Sequence, residues 1–440
     1  MLLEFSVANF RSIGEEQTLY MQPAFKSKDE DHNILETGIR REPQALPVVA
    51  ILGANASGKS TFLEALLYLA HIIDESGSRK KDMNYSDQSF KLNSEYKKNP
   101  TSFKIKFIAP DGALYNYYLS LFPEKISREK LTKRANVKYA KETILIERIE
   151  QKINLHNSIH NKKSFLNLWN AEINKQETAL SFLANKGDVE IFDVIMLWFN
   201  RLLYILPTKL PESATAKLLH NNIFDNSLVI DFLKSADINI AGVEIKKNEF
   251  EVPSEVHSEI NALIAKKLES IAPVEVETKI SNSNQYNINF AHTTTQGKKI
   301  FFNIKDESEG TKSVFAFYAP LEATLAQGSI LIVDELDNSL HPYLVRKIIQ
   351  LFTDKKTNPK GAQLIFTTHD VTVMDKSLLR PDEIYFTEKD KETFETKLYS
   401  LAEFKGMGSV SKNDRGEKLY KDYLNGRFGA VPDVDWEVGI

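Results

Sequence analysis

Hydrophobic and polar positions along this 440-residue chain switch between two periods. Residues 2–10 alternate, with Leu3, Phe5 and Val7 set against Glu4, Ser6 and Ala8. That period of two predicts a half-buried strand close to a sheet edge, and Gln17–Met21 reads as its hairpin partner. Ser102–Ile108 and Ala113–Phe122 alternate again around the turn sequence Pro110-Asp111-Gly112, which predicts two arms of an antiparallel subsheet. Residues 26–44 and 76–100 are polar and read as loops. From about 145 to 235 the apolar spacing lengthens to three and four, as in Phe165–Trp169, Leu180–Leu183 and Ile191–Phe199, so helices are expected. No heptad lasts beyond two or three turns, which argues against a long coiled-coil arm. Strands at 242–245, 274–280 and 286–290 follow, with a helix near 254–271.

Other apolar runs do not alternate. Val48–Leu52, Ile330–Val333 and Ala362–Thr367 are apolar on both faces, as central parallel strands are. A strand over 300–304, a helix over 313–326 broken by Gly328, and a helix from His341-Pro342 to Phe352 lie among them. Glu383–Thr387 and Thr396–Ser400 read as the last strands, and Asp433, Asp435 and Glu437 as a solvated acidic tail.

What each central run empties into carries the chemistry. Val48–Leu52 leads into Gly53-Ala54-Asn55-Ala56-Ser57-Gly58-Lys59-Ser60-Thr61 and then a helix over about 59–75, the strand–loop–helix context of a phosphate-binding loop. Gly53 and Gly58 permit a tight turn whose N–H groups, with Asn55, Ser57 and Thr61 in and beside the loop, converge on phosphate at a helix start. Lys59 would reach the β- and γ-phosphates of ATP, and the Ser60 hydroxyl would take a Mg²⁺ position. The run 329–333 ends in Asp334-Glu335. Asp334 would hold Mg²⁺ through its water shell and Glu335 would act as general base on the attacking water; the plainer alternative is an exposed loop start. His369 ends the next buried strand, where it could sense a γ-phosphate or could simply be a structural histidine.

Composition sets outer limits. The 42% hydrophobic and 26% charged content is that of a folded globular protein, and the length points to two lobes or domains. The absence of cysteine excludes disulfides and thiolate chemistry and fits a reducing cytoplasm. No stretch of about 18 apolar residues is present, so no membrane span or membrane partner is expected; nor does MLLEFSVANF read as a signal peptide. Net charge is −4, which gives no general attraction to nucleic acid. Residues 125–141 hold Lys125, Arg128, Lys130, Lys133, Arg134, Lys138 and Lys141, either a local nucleic-acid patch or a solvated strand-and-loop face.

The order of these motifs resembles the ABC-type ATPases, specifically the SMC/RecF/OLD branch. Asn9-Phe10-Arg11-Ser12 matches that branch's opening signature, and the resemblance implies that Arg11 contacts nucleotide. Ser308-Glu309-Gly310-Thr311-Lys312 looks like a degenerate signature motif; Ser308 and Gly310, with Lys312 beside them, would grip the γ-phosphate held by an opposite subunit. Asn338-Ser339-Leu340-His341 occupies the D-loop position, with His341 where relatives carry Asp, and Gln88 is the candidate Q-loop glutamine. Asp-Glu-Leu-Asp-Asn-Ser-Leu-His-Pro, Phe-Thr-Thr-His-Asp and Gly426-Arg427-Phe428-Gly429-Ala430-Val431-Pro432 further resemble the stand-alone OLD-like ATPases of bacterial phage-defence and abortive-infection operons, PARIS-type systems among them.

The expectations are therefore an α/β fold of the ABC P-loop type, with a mixed central sheet, an antiparallel subsheet and an inserted helical lobe. Its divisions would be 1–145, 146–290 and 291–440. The resemblance implies an ATP- and Mg²⁺-dependent homodimer or higher homo-oligomer joined through an ATP sandwich. It would act as sensor or scaffold for a separate effector, often a Toprim-type nuclease, with a phage protein as trigger and nucleic acid not required. About 70 residues follow His369, too few for a nuclease core, so none is expected in this chain. A RecF-like DNA-repair ATPase is the competing reading. An ABC transporter subunit is the third, disfavoured by the atypical signature, the RecF-like start and the inserted strands 102–122.

Overall fold

The computed structural model describes residues 1–25, 34–40, 42–76, 85–137, 140–157, 159, 170, 172–186, 190–200, 202–205, 212–248, 285–407 and 419–432. The expected helix near 254–271, the strand 274–280, the Phe165–Trp169 run and the acidic residues Asp433, Asp435 and Glu437 lie outside the described residues. The chain falls into two compact units, Met1–Thr208 with Glu322–Ile440, and Lys209–Leu321. The sequence boundaries at 145 and 290 mark neither junction.

In chain order the first unit opens with β1 (Leu2–Ala8), β2 (Gln17–Tyr20), β3 (Leu35–Ile39), β4 (Glu42–Ala45), β5 (Val48–Gly53) and α1 (Lys59–Glu75). It continues through β6 (Thr101–Ile108), β7 (Leu114–Phe122), β8 (Lys125–Arg134), β9 (Thr143–Ile149), β10 (Lys152–Leu155), α2 (Ala179–Lys186), α3 (Glu190–Phe199) and β11 (Leu202–Ile205). The second unit holds α4 (Glu212–His220), α5 (Asn226–Ser235) and a three-stranded sheet of β12 (Gly242–Asn248), β13 (Gln285–Thr293) and β14 (Lys299–Asn303). Helix α6 (Glu309–Gln327) begins there and ends in the first unit. β15 (Ile330–Val333), α7 (Pro342–Thr353), β16 (Gln363–Thr367), β17 (Ile384–Lys389), β18 (Thr396–Ser400) and α8 (Tyr420–Leu424) complete the first unit.

Two sheets build that unit. One is antiparallel, in the order β10-β9-β8-β7-β6-β1-β2; the other is mixed, in the order β11-β15-β16-β5-β17-β18. In the mixed sheet β11, β15, β16, β5 and β17 run parallel, and β18 returns antiparallel at the edge. β5, β15 and β16 are buried at every position, which is why their sequences do not alternate. One core joins Phe5 and Phe103 of the antiparallel sheet, Phe62, Leu66 and Ile73 of α1, and Val49 and Ile51 of β5. Trp198 of α3 lies on Phe107 with ring centroids 4.0 Å apart and planes 25° from parallel. Each fully buried ring of this kind contributes about 1.5–3 kcal/mol by leaving water. This is the α/β P-loop architecture expected, with a mixed central sheet and an antiparallel subsheet.

Three expectations are corrected. Residues 35–39 and 42–45 form the β3–β4 hairpin, not a loop; its Gly38 sits at φ +72°, and Leu35, Ile39 and Ala45 turn inward among polar residues. The span from 145 is not helical at its start, since β9 and β10 extend the antiparallel sheet, and β11 joins the mixed sheet beside β15. The inserted unit is accordingly α/β, with β12–β14 beside its helices. Among the described residues no helix is long and apolar enough to cross a membrane.

Candidate nucleotide site

The P-loop is shaped by what stands behind it. Gly53 has φ +152°, and a Cβ there would lie 2.4 Å from the Thr387 carbonyl oxygen. Gly58 has φ +108° and a Cβ would meet Thr396 Oγ1 at 2.2 Å, so both positions require glycine. Ser57 Oγ is 2.6 Å from Thr387 Oγ1, and Thr396 Oγ1 donates to the Ser57 carbonyl at 2.9 Å. The first turn of α1, Lys59-Ser60-Thr61, thus starts from a loop pressed flat against β17 and β18. Asn55 is exposed at the loop's tip, whereas Ser57 is buried. Lys59 is buried too, and its Nζ donates to the Gly53 and Ala54 carbonyls at 2.8 and 3.0 Å. Burial pushes its pKa below the ordinary lysine value, against the attraction of Asp334, Glu335 and Asp337.

Those three carboxylates follow β15. Parallel pairing places β16 between β15 and the P-loop strand β5, so the ends of all three converge. Thr367, the last residue of β16, organises the meeting point. Its Oγ1 donates to Asp334 Oδ1 at 2.5 Å and accepts from the Glu335 N–H at 2.7 Å, while the Leu336 N–H donates to its carbonyl at 3.0 Å. Glu335 and Ser339 take left-handed φ values of 52° and 61°, conformations costing about 1–2 kcal/mol in a non-glycine residue. Such strain concentrates at functional sites. His369 Nε2 lies 4.0 Å from Glu335 Oε1, and its backbone N–H points to both Asp337 carboxylate oxygens at 3.3 Å. His341 caps α7, its Nδ1 accepting from the Tyr343 N–H at 3.3 Å, a job the Asp of relatives could also perform.

The opening Asn9-Phe10-Arg11-Ser12 is a tight turn with φ 52° at Asn9 and 49° at Arg11. Asn9 Nδ2 donates to the Tyr96 and Asn99 carbonyls at 2.8 and 2.7 Å, and its Oδ1 accepts from the Phe90 N–H at 2.9 Å. Thus held, Arg11 pairs with Glu64 of α1 and donates from Nε to Gln88 Oε1 at 2.8 Å. Ser12 Oγ is 2.9 Å from Thr396 Oγ1 and 3.3 Å from Thr61 Oγ1. The candidate Arg11 and Gln88 are therefore brought together next to the P-loop helix.

Ser308, Gly310 and Lys312 belong to the second unit. Ser308 Oγ accepts from the Thr311 N–H at 3.1 Å at the start of α6, an N-cap bond, and Lys312 Nζ reaches Glu309 Oε1 at 2.8 Å. Gly310 lies in the first turn between them.

Thr367, Asp337, Thr387 and Thr396 were not singled out from the sequence. The available signal was hydroxyl residues at the ends of strands flanking the P-loop strand, but their side-chain partners are 32 to 384 residues away. Of the basic stretch, Lys125–Arg134 is a strand on which Lys125 pairs with Glu150 at 2.8 Å, Arg128 with Glu147 at 3.6 Å and Lys133 with Asp111 at 2.9 Å, while Lys138 lies outside the described residues.

Among solved structures, the chain is similar to the SMC head domain from Thermotoga maritima at 13% identity and TM-score 0.40, over 91% of this chain and 98% of that one. It is similar to an SMC head bound to the C-winged helix domain of ScpA at 13% and 0.40, over 92% and 99%. A third likeness is the recombination mediator protein RecF-ATPrS, at 13% and 0.36, over 90% and 98%. No curated protein matches it. Residues 48–375, from the P-loop strand to just past His369, match the AAA_21 family of AAA domains, AbiEii-toxin type, Type IV TA system. The chain belongs to that AAA-domain family.

Proposed function

We propose that this chain is an ABC-type ATPase of the SMC/RecF branch that serves as sensor and scaffold in a bacterial anti-phage defence system. The observation that carries the ATPase reading is the convergence of Lys59, Asp334, Glu335 and His369 on the ends of β5, β15 and β16, with Thr367 tying the Asp334 carboxylate to the Glu335 backbone. The residues suit a Mg²⁺-nucleotide. The loop ahead of Lys59 closes against β17 and β18 only with glycine at 53 and 58, where a Cβ would strike Thr387 and Thr396, and Ser60 with Asp334 offers the hydroxyl–carboxylate pair such an ion takes. Ser60 and Asp334 would hold Mg²⁺, which when bound offsets phosphate charge. Lys59 binds phosphate; Glu335 takes the proton of water; His369, with Nε2 4.0 Å from Glu335 Oε1, stands beside it. Ser308 and Gly310 of a second copy complete the site in trans, so the working state is a homodimer or a larger homo-oligomer.

The family's AbiEii and Type IV TA connection supports the defence setting, and a separate effector, of nuclease type, would be the protein it controls. The test is phage plating on cells carrying the native gene neighbourhood with wild-type or Lys59→Ala protein, together with identification of what co-purifies. Loss of protection in the variant and a co-purifying neighbour product are expected; equal plating would remove the defence reading. A RecF-like DNA-binding ATPase would instead show DNA-stimulated turnover. The pairing of Lys125, Arg128 and Lys133 with carboxylates counts against a DNA surface there.

A further inference from the structure

We infer that residues 419–432 form a latch that positions the P-loop through the β17–β18 pair, with Phe428 and Tyr399 as positioning residues for nucleotide binding. This rests on the nucleotide reading of the P-loop and adds a part of the chain that reading leaves unused.

The two faces of the strand pair have different work. β17 and β18 align Phe386 with Tyr399 and Thr387 with Leu398. One face presents Thr387 and Thr396, whose hydroxyls hold Ser57 and whose atoms leave no room beside Gly53 and Gly58. Because side chains alternate, Phe386 and Tyr399 face the other way, and there the Gly426–Pro432 motif packs. Phe386 stacks on Tyr423 at 5.3 Å and 7°, and on Phe428 at 6.2 Å and 17°. Phe404 meets Phe428 edge-on at 5.3 Å. Tyr399 Oη donates to the Phe428 carbonyl at 2.9 Å, and Tyr423 Oη to the Ala430 carbonyl at 2.9 Å. The fit is close: Gly429 has φ +68°, and a Cβ there would lie 2.7 Å from Tyr399 Oη. Phe428 and Phe386 are 1% and 0% exposed, so the segment is anchored by a buried ring although residues 424–427 are exposed.

The strand pair lies at the edge of the mixed sheet, with β5 on one side and, on the other, the Thr396 N–H donating to the Ser12 carbonyl at 2.8 Å and the Leu398 N–H to Gln17 Oε1 at 2.7 Å. The segment 419–432 backs the face of the pair turned away from the P-loop, and a shift of β17 or β18 would carry Thr387 and Thr396 away from that loop. Among the described residues its hydrogen bonds include none to Asp334, Glu335 or His369, and its Leu419 N–H donates to the Met374 carbonyl at 3.0 Å, so its effect is expected on binding rather than on the hydrolytic step.

The test measures ATP affinity by calorimetry and turnover at saturating ATP, with a thermal melt to establish folding. Folded Phe428→Ala should bind ATP at least about fivefold more weakly, with saturated turnover within about twofold of wild type, and Phe428→Tyr should restore affinity. A folded Phe428→Ala protein with unchanged affinity overturns the latch. If Phe428→Ala does not fold, Tyr399→Phe decides. It removes the hydroxyl that donates to the Phe428 carbonyl at 2.9 Å and also reaches Glu388 Oε2 at 3.3 Å, and should weaken binding about two- to threefold; unchanged affinity overturns the proposal. Lys59→Ala separates the two readings. If it binds ATP like wild type, the P-loop assignment itself fails, whatever Phe428 variants do.

Discussion

Thr367 Oγ1 donates to Asp334 Oδ1 at 2.5 Å and accepts from the Glu335 N–H at 2.7 Å. One hydroxyl at the end of β16 therefore fixes the Asp334 carboxylate and the left-handed backbone of Glu335 at the end of β15. Thr367→Val keeps the shape and removes the bond. Loss of a hydrogen bond to a charged group costs about 1.5–3 kcal/mol, so turnover should fall roughly 10- to 100-fold while ATP affinity changes little. Steady-state kinetics beside calorimetry checks this; full turnover in Thr367→Val would remove Thr367 from the site.

Lys59 is the buried cation facing those carboxylates. Lys59→Ala should weaken ATP binding at least tenfold, about 1.4 kcal/mol. Burial lowers its pKa below 10.5, so it loses its proton earlier on the alkaline side than an ordinary lysine. The charged form binds phosphate, so affinity should decline as pH rises through that lowered value. Calorimetry from neutral to alkaline pH should show the decline in wild type and none in Lys59→Ala.

Gly58 offers a steric test with an internal control. Gly58→Ala places a Cβ 2.2 Å from Thr396 Oγ1 at φ +108°, and should abolish ATP binding and lower the melting temperature. Gly112→Ala has φ +71° but no atom within 4 Å, so it should cost only backbone strain, about 1–2 kcal/mol, and leave affinity intact. Equal affinities for the two variants would contradict the packed-loop geometry.

How far the sequence carried follows from the range of the signals. β5, β15 and β16 were legible because a buried parallel strand is a continuous apolar run and each ends in its chemistry. The β3–β4 hairpin was missed because its buried apolar positions, Leu35, Ile39 and Ala45, are too few and too widely spaced to show a period of two. β9 and β10 were absorbed into a helical expectation by the apolar spacings downstream. Thr387 and Thr396 were illegible because their partner, Ser57, is 330 and 339 residues away, and only the folded sheet brings them together.

Completion in trans is testable by mixing. Ser308 lies at the start of α6, where backbone N–H groups favour an anion. Ser308→Arg and Lys59→Ala should each be inactive alone, and their mixture should regain about one working site per dimer. Full activity of either variant as a monomer would exclude the sandwich.

The most direct measurement concerns Glu335. Glu335→Gln keeps the size and hydrogen bonding of the side chain but cannot accept the proton of attacking water. ATP binding should persist, hydrolysis should stop, and the protein should accumulate as an ATP-bound dimer or larger assembly, seen by light scattering with nucleotide analysis of the same peak. Wild-type turnover in Glu335→Gln, or a monomer that holds no ATP, would contradict an ATPase that works through this carboxylate.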